Sequence, residues 1–116
     1  MGFLAASEVS REKVLYFTDT YYLKYCFSGL THILGECNYD RASLDEAVRA
    51  GITAPELGAR IIKSHMSLEN FLDFLKANDL SRVRRIYLLH LSENHSDAER
   101  MKKAVQELTG TEVYTC

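Results

Sequence analysis

Four side chains in this sequence combine types suited to metal binding or proton transfer with positions at the ends of structural segments. Asp19 closes the run Lys13-Val14-Leu15-Tyr16-Phe17-Thr18, Glu36 lies late in Thr31-His32-Ile33-Leu34-Gly35-Glu36-Cys37, and His90 follows Arg85-Ile86-Tyr87-Leu88-Leu89. His65 sits in Ser64-His65-Met66-Ser67, just ahead of an apolar helical period. Strand ends gather residues from several elements at one rim, and neutral imidazole with ionised carboxylate is a good zinc donor set. Each residue also has a plainer reading. Asp19 suits a turn or N-cap acceptor, His65 a helix start, and His90 a buried histidine bonded to backbone. Glu36 resists such a reading, because a carboxylate inside a strand needs a donor or cation beside it. His32 and His95 have no matching partner and read as surface or capping residues.

The elements that must position these residues follow from local pattern. The three runs just named are β-branched or aromatic and stop at turn signals, so they predict strands; Glu112-Val113-Tyr114-Thr115 predicts a weaker fourth. Between the second and third strands lie three helices. The first carries the capping box Ser43-x-x-Glu46 and closes at Gly51; the second carries Thr53-x-x-Glu56 with Pro55 in its first turn. The third shows Leu68, Phe71, Leu72 and Leu75 at i, i+3, i+4 and i+7. A last helix runs from Ser96-x-x-Glu99 to Gly110. Strand, strand, helices, strand, helix, strand favours an α/β layer arrangement over a bundle. Residues 1–12 read as an N-terminal tail, and 13–116 as the folded unit. Tyr21 to Leu30 is aromatic-rich where a simple turn is expected, which suggests a loop or short helix with a large apolar contact surface.

Composition narrows the function. The 116 residues suit one domain, 47% hydrophobic and 26% charged, and the net charge of −2 gives no drive toward nucleic acid or anionic lipid. Arg82-Val83-Arg84-Arg85 is too short for a nucleic-acid patch and reads as a solvated approach to the third strand. No apolar run nears the roughly 20 residues that cross a bilayer, and the first residues lack a secretory pattern. Cys26, Cys37 and Cys116 are an odd count without Cys-x-x-Cys spacing, so they read as reduced packing residues and the cytoplasm as the compartment.

The same motifs resemble the metallo-β-lactamase superfamily, in the phosphodiesterase branch that includes tRNA 3′-processing endonucleases. Thr18-Asp19-Thr20, Glu36-Cys37-Asn38, His65-Met66-Ser67 and His90-Leu91-Ser92 occur in the family's order over residues 13–116. The resemblance implies that the chain is the C-terminal half of an αββα sandwich, one mixed sheet covered by helices. It implies Asp19 and His90 as metal ligands, with Asp19 bridging two divalent ions, zinc first and manganese second. It implies Glu36 and His65 as the catalytic pair, in which Glu36 orients an imidazole facing the scissile phosphate of a nucleotide or RNA substrate. The family's His-x-His-x-Asp-His motif is absent, since the only histidines are His32, His65, His90 and His95. A catalytic zinc normally takes three protein ligands, and two are present.

The expectation is therefore the C-terminal part of a metal-dependent phosphodiesterase, inactive alone: a natural truncation, a split product or a cloned segment. An exposed apolar sheet face should pair with a second copy or with the missing N-terminal half. The alternative is a non-catalytic α/β oligomerisation or interaction module. A third possibility, an unrelated doubly wound anion-binding domain, lacks a glycine-rich phosphate loop.

Overall fold

Alternating burial along the central strands sorts their side chains onto two unlike faces. Leu15, Phe17, Ile33, Ile86, Leu88 and Val113 are buried, while their neighbours Val14, Tyr16, Leu34 and Tyr87 are half-buried and Tyr114 is exposed. The computed structural model describes residues 2–7, 11–18, 20–23 and 27–115, with residues 2–7 described by backbone alone. Among these the elements are β1 (Gly2–Ser7), β2 (Glu12–Phe17), β3 (His32–Glu36), α1 (Arg41–Arg49), α2 (Pro55–Ser64), α3 (Leu68–Lys76), β4 (Arg85–Leu89), α4 (Ala98–Thr109) and β5 (Glu112–Thr115). The protein is an α/β structure. Its sheet runs β1-β2-β3-β4-β5, with β2 to β5 parallel and β1 antiparallel to β2.

One face of the sheet holds the core. Phe71, Phe74 and Leu75 of α3 and Met101 and Val105 of α4 pack on Leu15, Phe17, Ile33, Ile86, Leu88 and Val113. The apolar spacing read along α3 is thus the stripe that meets the sheet. The opposite face carries a row in register, Tyr16 beside Leu34 beside Tyr87 beside Tyr114, with the last two rings stacked at 5.2 Å. The helices of a sheet wound in one direction by right-handed crossovers fall on one side, which leaves this row only partly covered.

Several local expectations need correction. Residues 2–7, read as tail, form β1, with Gly2 opposite Phe17 and Ser7 opposite Glu12. Its Gly-Phe-Leu-Ala-Ala-Ser composition has neither β-branching nor alternation, so pairing with β2 rather than local preference makes the strand. The first helix starts ahead of Ser43, because Asp40 is the N-cap and accepts from the Ser43 N–H. The second helix has Pro55 in its first turn, but its N-cap is Ala54 with no side-chain cap, and the Thr53 hydroxyl is bonded to His95 instead. In α4 the cap is Asp97, while the Ser96 hydroxyl donates to the Ser92 carbonyl. Of the aromatic segment 21–30, Tyr21 and Tyr22 are exposed, whereas Leu23, Phe27 and Leu30 join the core; residues 24–26 lie outside the described residues.

Candidate functional site

Because β2, β3 and β4 are parallel, their C-terminal ends share one rim. Thr18 follows β2, Glu36 ends β3, and His90 follows β4; Glu36 lies opposite Leu89 in the register. The turn between α2 and α3 is fastened to the same rim. Asn38 N–H donates to the Met66 carbonyl at 2.9 Å, Leu68 N–H donates to the Tyr39 carbonyl at 2.8 Å, and Tyr39 and Ser67 form a parallel bridge. Ser67 then caps α3 by accepting from the Asn70 N–H. These ties place His65, the residue that ends α2, over the end of β3.

Glu36 is the centre of the arrangement. It is 2% exposed, so its carboxylate must be satisfied from within. Oε2 lies 3.1 Å from His65 Nδ1 and 3.4 Å from the Met66 N–H, and Oε1 accepts from the Thr18 hydroxyl at 3.0 Å. His90 Nδ1 stands 3.5 Å from Oε1 and 3.4 Å from the Thr18 hydroxyl, a longer contact than that of His65. An ionised carboxylate accepts and does not donate, so the His65 Nδ1 that faces it at hydrogen-bond distance carries the proton. In a neutral ring Nε2 is then the basic nitrogen. One buried carboxylate therefore orients the ring of His65 and lies 3.5 Å from that of His90, which comes from a separate element. No family model and no curated protein matches this chain.

Chemically, the rim offers two oriented imidazoles whose rings are partly open to solvent, with side-chain exposures of 39% for His65 and 57% for His90. Such groups can donate or accept protons or stabilise developing charge. Metal binding is another matter. Glu36 is taken up by the Thr18 hydroxyl and the His65 ring, and among the described residues no group of three His, Cys, Asp or Glu side chains is arranged to hold a metal ion. Asp19 lies outside the described residues. The described residues do not amount to a metal site by themselves.

The remaining candidates sit elsewhere. His32 is half-buried at the opposite end of β3, 2.9 Å from the Thr31 hydroxyl. His95, read as a surface or capping residue, is buried, with Nε2 2.6 Å from the Thr53 hydroxyl and Nδ1 3.1 Å from that of Ser92. It locks the loop after β4 to the start of α2. Asp40 is 1% exposed and accepts from the Ser43 N–H and hydroxyl, the Asp97 N–H and the Arg100 guanidinium, which ties the starts of α1 and α4 together. Thr18 and Asn38 stand inside the quoted motifs, but motif reasoning gave neither a role. Their roles lie in bonds to Glu36 and to a backbone carbonyl, which spacing does not reveal.

Cys37, next to Glu36, is fully buried in the core, and burial pushes its thiol well above the ordinary range, reinforced by Glu69, Asp40 and Glu36. It is a packing residue, not a nucleophile. Cys26 and Cys116 lie outside the described residues. In a chain carrying Cys26→Ser and Cys116→Ser, Cys37 is expected to resist a thiol-reactive dye until denaturant unfolds the protein. Rapid labelling of the native chain would contradict that burial.

Proposed function

We propose that this chain is the C-terminal part of a metal-dependent phosphodiesterase of the metallo-β-lactamase superfamily, inactive alone. The observation that supports the reading is the buried Glu36 carboxylate holding His65 at 3.1 Å on the rim where His90 also sits. In this reading Glu36 fixes the ring of His65, whose Nε2 stabilises charge on the phosphoryl oxygens or protonates the leaving oxygen. His90 and Asp19 serve as two ligands of a zinc pair, or of manganese. The other ligands come from a polypeptide that carries the missing histidine motif, and the substrate is a nucleotide or RNA phosphodiester.

The test is hydrolysis of bis(4-nitrophenyl) phosphate in zinc or manganese, by the chain alone and together with the polypeptide encoded immediately upstream. The expected result is no turnover alone and turnover on complementation. Tight stoichiometric metal with turnover by the isolated chain would show that the ligand set is already complete. Silence in both arms, with an upstream His-x-His-x-Asp-His confirmed, would remove the phosphodiesterase reading.

A second reading, a non-catalytic oligomerisation or interaction module, is favoured by the half-covered row Tyr16, Leu34, Tyr87 and Tyr114. Equilibrium sedimentation of the same preparation bears on both, because a well-behaved monomer without metal affinity would count against self-association and against site completion alike. No helix among the described residues is long and apolar enough to cross a membrane, and neither reading calls for one.

A further inference from the structure

Asn38 takes no part in the chemistry proposed above, yet its polar groups reach both segments that carry the imidazoles. Its main-chain N–H donates to the Met66 carbonyl at 2.9 Å, one residue from His65. Its main-chain carbonyl accepts from the Ser92 N–H at 2.8 Å, and its side-chain amide donates to the His90 carbonyl at 2.8 Å. His90 itself has φ +59°, in the left-handed region that L side chains rarely occupy. A residue held there needs surroundings that over-determine it.

The ring of His90 does not do this, since its contacts of 3.4 and 3.5 Å are long for hydrogen bonds. The amide of Asn38 does. We propose that Asn38 is the positioning residue of the rim: its side-chain N–H holds the His90 backbone left-handed and so brings that imidazole to the carboxylate that orients His65. The inference deepens the reading of this rim as a catalytic site and rests on it for its functional meaning. The residue type follows from the geometry. A donor of this reach is needed, serine is too short, and the isosteric aspartate would set a carboxylate oxygen against a carbonyl oxygen.

Asn38→Asp keeps the main-chain bonds to the His65 and Ser92 segments and exchanges the side-chain donor for an ionised acceptor, and His65, on the far side of Glu36, reports any effect of the added charge. The full chain, with nitrogen-15 histidines, is compared with the variant near pH 9, where a free imidazole is neutral at about two units above its ordinary pKa. The expected result is that His65 keeps its Nδ1-protonated signature. His90 loses its proton–proton contact to Thr18, and its two ring-nitrogen shifts move away from those of the parent. A role confined to stabilising the loop would lower the melting temperature and leave the His90 ring signature unchanged. Superimposable His90 signals would overturn the proposal.

If Asn38→Asp fails to fold, Asn38→Ser is read in the same spectra and in a stability cycle with His90→Gly. Glycine takes the left-handed conformation freely, so the serine variant should lower the unfolding midpoint less in that background. Equal lowering in both backgrounds would overturn the proposal as surely as unchanged spectra. None of these measurements uses hydrolysis, so failure of the phosphodiesterase reading and failure of the positioning role remain separate results.

Discussion

Gly35→Ala is expected to lower the unfolding free energy by about 3 kcal/mol, the upper end of the usual cost of overpacking a core. An added Cβ would lie 2.3 Å from Phe17 Cζ, 2.6 Å from Phe17 Cε1 and 2.7 Å from Phe71 Cε2. These are ring atoms, not the ends of flexible chains, and the rings have nowhere to go. Phe17 meets Phe71 at 5.7 Å and Phe74 edge-on at 5.6 Å, and all three are at most 2% exposed. Domains of this size have about 5–15 kcal/mol in total, so the loss is a large fraction of what holds the chain folded. The measurement is the urea midpoint at unchanged slope. Phe71→Leu in the same chain should restore part of the loss, because it returns volume where the methyl enters. A midpoint equal to that of the parent would show that the aromatic cluster has room the distances deny.

The effect should also reach the rim. Gly35 precedes Glu36 and Phe17 precedes Thr18, so pushing the two strands apart loads the Thr18–Glu36 hydrogen bond directly. Core and candidate site are consecutive residues on the same strands, alternating between the helix-covered face and the rim.

Much of the framework was legible because the signals were local and repeated. The third helix announced itself through Leu68, Phe71, Leu72 and Leu75, and β2, β3 and β4 through β-branched and aromatic runs ending at polar residues. What escaped was set by distant partners. Asp40 displaced Ser43 as the α1 cap because it also gathers the Asp97 N–H and Arg100, some sixty residues away in the chain. Thr53 gave up its expected capping role to bond His95, and that bond buries a histidine nothing nearby could place. At the rim, Glu36 stood out as a carboxylate in a strand, a position that demands a donor wherever the donor comes from. Asn38 did not, because asparagine after a strand reads as an ordinary turn residue. The roles drawn from family resemblance rest on that resemblance alone; the structure brings Glu36, His65 and His90 together, and Asp19 lies outside the described residues.

On the proposed phosphodiesterase reading, His65→Ala in the complemented protein is expected to reduce kcat/KM for a phosphodiester by about 10²–10⁴-fold, the range for loss of a positioned proton-transfer group. Glu36→Gln should cost less, about 10–100-fold, as for partners that orient another residue. Glutamine keeps the length and accepts through one oxygen, but its amide would face either the His65 Nδ1–H or the Thr18 hydroxyl as a second donor. The informative variant is the double one. If Glu36 acted only through His65, removing both would cost no more than removing His65. Since Glu36 also lies 3.5 Å from His90 and accepts from Thr18, the double variant should fall below His65→Ala. That further loss is the part of its effect carried by the Thr18 and His90 side of the rim. Both variants need a native circular-dichroism spectrum, because Glu36 is buried and its replacement leaves donors to re-pair. A folded Glu36→Gln with parental kcat/KM would reduce the carboxylate to a structural acceptor, and the case for His65 as an oriented catalytic imidazole would go with it.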